Sequence, residues 1–166
     1  VEPYKPEHVV PMTWDTRFHD RPRIMGIPLS GAAGEYRLRA PLRTIARAGL
    51  AETLICEPPA PKTVRILSAV ELARAAADVV IFHQPVDDLQ AETLQNLARL
   101  LPGTRRIITI DDLITAVPKK NAFHKFGFKD ARPRLRKTLG LADRLVVSTE
   151  PLADFCRDMI DDIRIM

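Results

Sequence analysis

Several short stretches carry side chains able to do chemistry. In Asp78-Val79-Val80-Ile81-Phe82-His83-Gln84-Pro85 an apolar run drives into a histidine at a proline-marked exit. An imidazole there titrates near neutral pH and can take up a proton; the plainer reading is a loop histidine satisfied by backbone groups. A second stretch, Ser30-Gly31-Ala32-Ala33-Gly34-Glu35-Tyr36-Arg37, is small and glycine-bearing ahead of a helical pattern. Backbone N–H groups at a helix start can hold a phosphate, and glycine lets it come close. The spacing is G-x-x-G, without the third glycine of a dinucleotide fingerprint or the lysine of a Walker loop. A tight turn, with Tyr36 and Arg37 as surface residues of the helix start, explains it equally well. Asp111 and Asp112 end another apolar run and could orient a sugar hydroxyl or a metal, or cap the next turn. In Thr149-Glu150-Pro151, Thr149 reads as a helix N-cap and Glu150 as a charge favoured at the positive helix end.

A further stretch is electrostatic. From Lys119 to Arg144 there are nine Lys and Arg against two Asp, a local charge of +7 within a chain of net charge +4. The rest therefore holds 16 basic against 19 acidic residues, or −3. Phe123, Phe126 and Phe128 lie among these charges. The segment reads as a solvated face or as a surface for anionic lipid headgroups, with Lys119, Lys120 and Lys125 as the contact residues. No nucleic-acid motif accompanies it, so nucleic acid is the least favoured anionic partner.

These residues need elements to position them. Residues 1–22, with Pro3, Pro6, Pro11, Pro22 and the only tryptophan, Trp14, show no sustained period and read as an extended arm. Strands are expected at residues 23–27, 53–56, 79–83, 106–110 and 144–148, with another beginning at Ile163. The uninterrupted apolar run of the third suggests a strand buried on both faces. Helices are expected over residues 36–48, regular from about Ala40 because Pro41 is tolerable only in a first turn. They are also expected over 68–77, with Ser68 and Glu71 as a capping box, 88–101, 132–141 and 151–160. In the helix over 88–101, Leu89, Leu94, Leu97, Leu100 and Leu101 form the apolar face, and residues 113–128 are irregular. The alternation predicts an α/β, Rossmann-like, doubly wound parallel sheet flanked by helices. Such a sheet brings the strand exits, and so His83, Asp111, Asp112, Glu150 and the glycine loop, to one edge, where ligands bind.

A chain of 166 residues with 46% apolar content suits one core-bearing domain. No run approaches the roughly 18 residues of a membrane span. No leader is evident, and Cys56 and Cys156 match no metal spacing, which points to reduced thiols in a cytoplasmic protein. The non-methionine start and the apolar end at Met166 suggest the N-terminal portion of something longer.

The glycine loop after the first strand, Ala77-Asp78-Val79-Val80-Ile81-Phe82-His83-Gln84-Pro85, and Ala142-Asp143-Arg144-Leu145-Val146-Val147-Ser148-Thr149-Glu150-Pro151-Leu152 occur in an order that resembles the N-terminal half of a GT-B glycosyltransferase of the group 1/family 4 type. The resemblance covers roughly residues 23–166 and implies a second, nucleotide-sugar-binding domain beyond Met166. It implies transfer of a sugar from a nucleotide-diphosphate sugar to a glycan, lipid or protein acceptor, with no metal or other cofactor. His83 stands where relatives place an active-site histidine beside the reacting sugar, although Gln84 replaces their glutamate. Gly31, Gly34, Tyr36, Arg37, Asp111, Asp112 and Glu150 would lie toward the donor phosphates or substrate. The family's paired glutamates belong to the second domain, so this portion alone is expected to be inactive, working at the inner face of a membrane when complete. Two other readings remain: a nonenzymatic docking module using residues 119–144, and a dehydrogenase-like nucleotide-binding domain, which the missing third glycine disfavours.

Overall fold

Each short apolar run bounded by turn residues becomes a strand, and each stretch of helical period between them a helix. The computed structural model describes residues 20–60, 65–85, 88–113 and 131–166. In order these give β1 (Arg23–Ile27), α1 (Ala32–Gly34), a π-helical segment (Glu35–Arg39), α2 (Ala40–Arg47), β2 (Glu52–Ile55) and α3 (Ala69–Ala75). There follow β3 (Val79–His83), α4 (Asp88–Leu100), β4 (Arg105–Ile110), α5 (Ala131–Leu139), β5 (Arg144–Val147), α6 (Glu150–Cys156) and β6 (Ile163–Ile165). Residues 1–19 and 114–130 lie outside the described residues, and with them the expected arm, most of the stretch expected to be irregular, and Lys119, Lys120 and Lys125.

The six strands form one sheet in the order β2-β1-β3-β4-β5-β6, and every neighbouring pair is parallel. The chain steps outward from β1 to β2 and then crosses back past β1 to β3, so the winding direction reverses between β1 and β3. At such a switch point the two flanking loops leave toward opposite faces of the sheet and open a crevice at the carboxyl edge.

Register decides what each face holds, because paired residues in a parallel sheet point the same way. Met25 pairs with Val80, Ile27 with Phe82, Phe82 with Ile108, and Ile108 with Leu145. These residues, with Ile110 and Val147, form one continuous core with Leu72 of α3, Leu94 and Leu97 of α4, Leu135 and Leu139 of α5 and Leu152 of α6. On the opposite face Gly26 lies beneath Leu38 and Leu42, where an added Cβ would stand 2.4 Å from Leu42 Cδ1. The chain from Ala32 to Arg47 thus covers β1 closely. Farther along that face Ile81, Ile107 and Val146 are only half-buried. The expectation that β3 is buried on both faces therefore fails in part: Val80 and Phe82 are fully buried, while Val79 and Ile81 are not.

Proline explains the irregular helix start. Pro41 has no N–H to donate one turn back, and its ring crowds the carbonyl there. The wider π turn at Glu35–Arg39 absorbs that misfit, and regular α-helix begins at Ala40, as Pro41 predicts. The capping box at Ser68 is complete: its hydroxyl accepts from Glu71 N and the Glu71 carboxylate accepts from Ser68 N. In α4 the expected leucine face is displaced. Leu89 and Leu100 are exposed, while Gln90 and Thr93 are buried beside Leu94 and Leu97.

At the amino edge two aspartates do matching work. Asp78 Oδ2 accepts the backbone N–H of Arg23, the first residue of β1, at 2.7 Å. Asp143 Oδ2 accepts the backbone N–H of Arg106 in β4, also at 2.7 Å, and its other oxygen takes the Arg106 guanidinium. Arg106 in turn holds the Asp143 carboxyl below its ordinary range.

Candidate functional site

β3 delivers His83 to the carboxyl edge, on the face covered by α2, opposite Thr109 of β4. The side chain is completely buried. Its Nε2 lies 3.3 Å from Asp111 Oδ1, just past the end of β4. Gln84 follows in the left-handed region, with φ of 46°. That conformation turns its amide onto the same Asp111 oxygen, while its backbone N–H donates to the Thr109 carbonyl at 2.9 Å. Ser148, at the exit of β5, donates its hydroxyl to the Asp111 carbonyl at 3.1 Å. From the π-helical segment Arg37 brings its Nε to 3.8 Å from Asp111 Oδ2. The β3 exit and the π-helical segment thus meet on the Asp111 carboxylate, and the β5 exit holds its main-chain carbonyl.

The electrostatics favour a neutral imidazole. Burial pushes the His83 pKa below its ordinary value; Asp111 opposes this by charge and hydrogen bond, and Arg37 and Arg39 reinforce it. Arg39 is itself buried and pinned by Glu57, its Nε at 2.8 Å and its Nη2 at 2.7 Å from the carboxylate oxygens. Because Arg39 is already paired, Arg37 is the site's partly exposed cation. Two histidine-edge facts combine: Nε2 faces a carboxylate, and Nδ1 is buried with no hydrogen-bond partner among the described residues. A neutral ring so placed can accept one proton or one hydrogen bond through Nδ1.

The other expected site residues divide. Gly34 is buried because the loop folds back on it: an added Cβ would sit 2.0 Å from the Leu29 carbonyl oxygen and 2.6 Å from Arg39 Nη1. Close packing thus accounts for Gly34. Gly31 has φ of 92° and open space around it, so it serves a backbone conformation that other residues resist. Tyr36 is 76% exposed on the π turn beside Arg37. Asp112 is exposed and does not join Asp111 at His83. Glu150 pairs with Arg157 at 2.9 Å, while Thr149 occupies the N-cap without a side-chain capping bond. Four members of the basic segment are paired too. Arg132 and Arg136 reach Asp158, Arg134 reaches Asp88 and Arg144 reaches Asp162. Among the described residues no group of three or more His, Cys, Asp or Glu is placed to hold a metal, and no helix is long and apolar enough to cross a membrane.

Sequence reasoning did not single out Arg39, Glu57 or Ser148. Arg39 sits between Leu38 and Ala40 in a helix face that otherwise reads as apolar, and that interruption is the one signal it leaves. Glu57 and Ser148 lie directly after strands, where any polar residue is unremarkable.

The strand order and the all-parallel pairing define an α/β protein with a Rossmann-like parallel sheet. No protein-family model and no curated protein matches the chain. Among solved structures it is similar to a fructokinase with bound ATP from Xylella fastidiosa, at 16% identity and a TM-score of 0.34. That match covers 84% of this chain and 47% of the fructokinase. So loose a superposition carries no argument about activity; the fold class rests on the sheet itself.

Proposed function

We propose that the chain is the acceptor-side domain of a glycosyltransferase that moves a sugar from a nucleotide-diphosphate sugar to a glycan, lipid or protein acceptor. The observation that carries this reading is the meeting of His83, Asp111 and Arg37 at the carboxyl edge of the sheet. A neutral histidine there contacts the acceptor or the reacting sugar, and Arg37 offers positive charge to the leaving diphosphate. A second domain closing over the edge would exclude water and align donor with acceptor. The ordered motifs of residues 23–166 support the same reading.

The rival, a docking module for anionic surfaces, loses strength from the ion pairs of Arg132, Arg134, Arg136 and Arg144, which leave less uncompensated charge. In the full-length enzyme His83→Ala is expected to lower transfer at least roughly tenfold, or about 1.4 kcal/mol of barrier, read as nucleoside-diphosphate release. A variant at near wild-type rate refutes the role. Co-sedimentation with anionic vesicles, lost when Lys119, Lys120 and Lys125 are each changed to Glu, would favour the docking reading instead.

A further inference from the structure

We propose that the outer edge of β6 is a self-association surface. Two copies of this chain join β6 to β6 in antiparallel register about Ile163, so that Asp162 of each lies opposite Arg164 of the other. The glycosyltransferase reading is not needed for this.

The main chain of β6 decides which residues can pair. The Leu145 N–H donates to the Asp162 carbonyl, and the Met166 N–H donates to the Val147 carbonyl, each at 2.9 Å. Asp162 and Met166 therefore turn these groups toward β5. Successive residues of a strand direct their main-chain groups to opposite sides, so Ile163 and Ile165 turn theirs outward. No strand of the described residues stands on that side. Such a row of donors and acceptors is a template for another strand. The approach is open, with the Arg164 side chain 65% exposed and Ile165 49% exposed. At the other edge of the sheet β2 is half-buried throughout, and its sequence Glu52-Thr53-Leu54-Ile55 alternates no charges.

The side chains choose the occupant. In a twofold antiparallel pair a strand meets its own sequence reversed. Centring on Ile163 exchanges two main-chain hydrogen bonds between Ile163 and the partner's Ile163. It sets Asp162 opposite the partner's Arg164 and Arg164 opposite the partner's Asp162, on the two neighbouring rungs. Opposite charges directly across a sheet favour pairing and like charges oppose it. Centring one residue earlier or later would face Asp162, or Arg164, with its own copy. The other face agrees. Ile163 and Ile165 border a groove of about 430 Å³ beside α6, walled by Ala153, Ile160 and Asp161. Pairing brings the partner's Ile163 beside Ile163 and the partner's Ile165 to the mouth of that groove, which removes apolar surface from water. One short strand from each copy makes a small interface, so the dimer depends on concentration.

The test is sedimentation equilibrium of the chain from about 10 μM to about 1 mM, the range of a weak contact. The expected mass rises with concentration from that of the monomer toward twice that value. Arg164→Asp sets like charges on both rungs and should weaken association roughly tenfold, whereas Arg164→Lys should retain it. Oxidation reads the register. Ile163→Cys should cross-link copy to copy, since hydrogen-bonded pairs stand about 5.5 Å apart between Cα atoms, within disulfide reach. Arg164→Cys should not, because its two copies occupy diagonal positions about 7–8 Å apart. The native thiols of Cys56 and Cys156 are buried. A wild-type chain that stays monomeric across the range overturns the proposal. So does association that a folded Arg164→Asp leaves unchanged, or cross-linking of Arg164→Cys in preference to Ile163→Cys. The wild-type mass needs no variant, and circular dichroism confirms that each variant compared with it is folded.

Discussion

Replacing Gly34 with alanine tests the loop that brings Arg37 to the site. The new Cβ would stand 2.0 Å from the Leu29 carbonyl oxygen, where ordinary contact begins at 3.4 Å, and 2.6 Å from Arg39 Nη1. The first obstacle is backbone, so a rotamer change cannot relieve it. The second is the end of a buried guanidinium held by Glu57. Overpacking of a well-filled site costs typically about 1–3 kcal/mol, and a clash against main chain belongs at the top of that range. About 3 kcal/mol corresponds to a fall in Tm of roughly 6–12 °C for a domain of this size. Two controls separate causes. Gly103→Ala meets nothing within 4 Å and should stay within about 0.5 kcal/mol of wild type. Gly31→Ala meets nothing either, but its φ of 92° makes it cost about 1–3 kcal/mol through strain alone. Urea unfolding midpoints with far-ultraviolet circular dichroism measure all three. A Gly34→Ala protein as stable as Gly103→Ala would refute the close return of the loop and the placement of Arg37 that depends on it.

Other expectations follow from burial and charge. Gly26→Ala drives a methyl to 2.4 Å from Leu42 Cδ1 and should cost about 1–3 kcal/mol, and less when introduced into a Leu42→Ala background, since the obstacle is a side-chain end. His83 has its folded pKa lowered from 6.5, so the folded state binds fewer protons than the unfolded chain. Its contribution is complete above that value and is lost as pH falls through the folded pKa. Urea titrations from about pH 7.5 to about pH 5 should therefore show declining stability in wild type and a flatter profile in His83→Gln. An equal decline in both would exclude His83 as the source. Cys56 is buried and its thiol is pushed up to about 12, and Cys156 is buried and raised too. Neither should react with a thiol reagent at about pH 8 until the protein is denatured. Rapid labelling of either would contradict its burial.

Much of this fold is written in local pattern. β1 runs from Arg23 to Ile27 as its apolar run predicts, and Ser68, Ala40 and Asp88 mark helix starts where capping and proline chemistry place them. The convergence of His83 with Asp111 follows from parallel strands alone, since both residues end strands that pair side by side. What stayed hidden depends on tertiary neighbours. Leu89 and Gln90 exchange their expected places because the face of α4 turned inward is set by α3 and α5, which periodicity in one helix does not report. Arg39 is buried because Glu57, from the far side of β2, meets it there. The parting of Asp111 from Asp112 and the ion pairs of Arg132, Arg134, Arg136 and Arg144 likewise depend on partners distant in sequence.

The paired aspartates at the amino edge turn the sheet into a measuring device. Asp78 fixes β3 against β1, and His83 lies five residues farther, about 16 Å along the strand at roughly 3.3 Å per residue. Asp143 in the same way fixes β5 against β4, whose last residue precedes Asp111. Slippage by one residue would carry His83 about 3.3 Å along the strand and turn it to the opposite face, away from Asp111. Between β3 and β4 the register is held at the same edge, where the Thr104 hydroxyl donates to the Ala77 carbonyl at 2.7 Å and the Arg105 N–H donates to the Asp78 carbonyl at 2.8 Å, so the distance from imidazole to Asp111 is set at the amino end of the strands. The recurring Ala-Asp before a strand, at Ala77-Asp78 and again at Ala142-Asp143, is a gauge whose reading is taken at the other edge, where His83 meets Asp111.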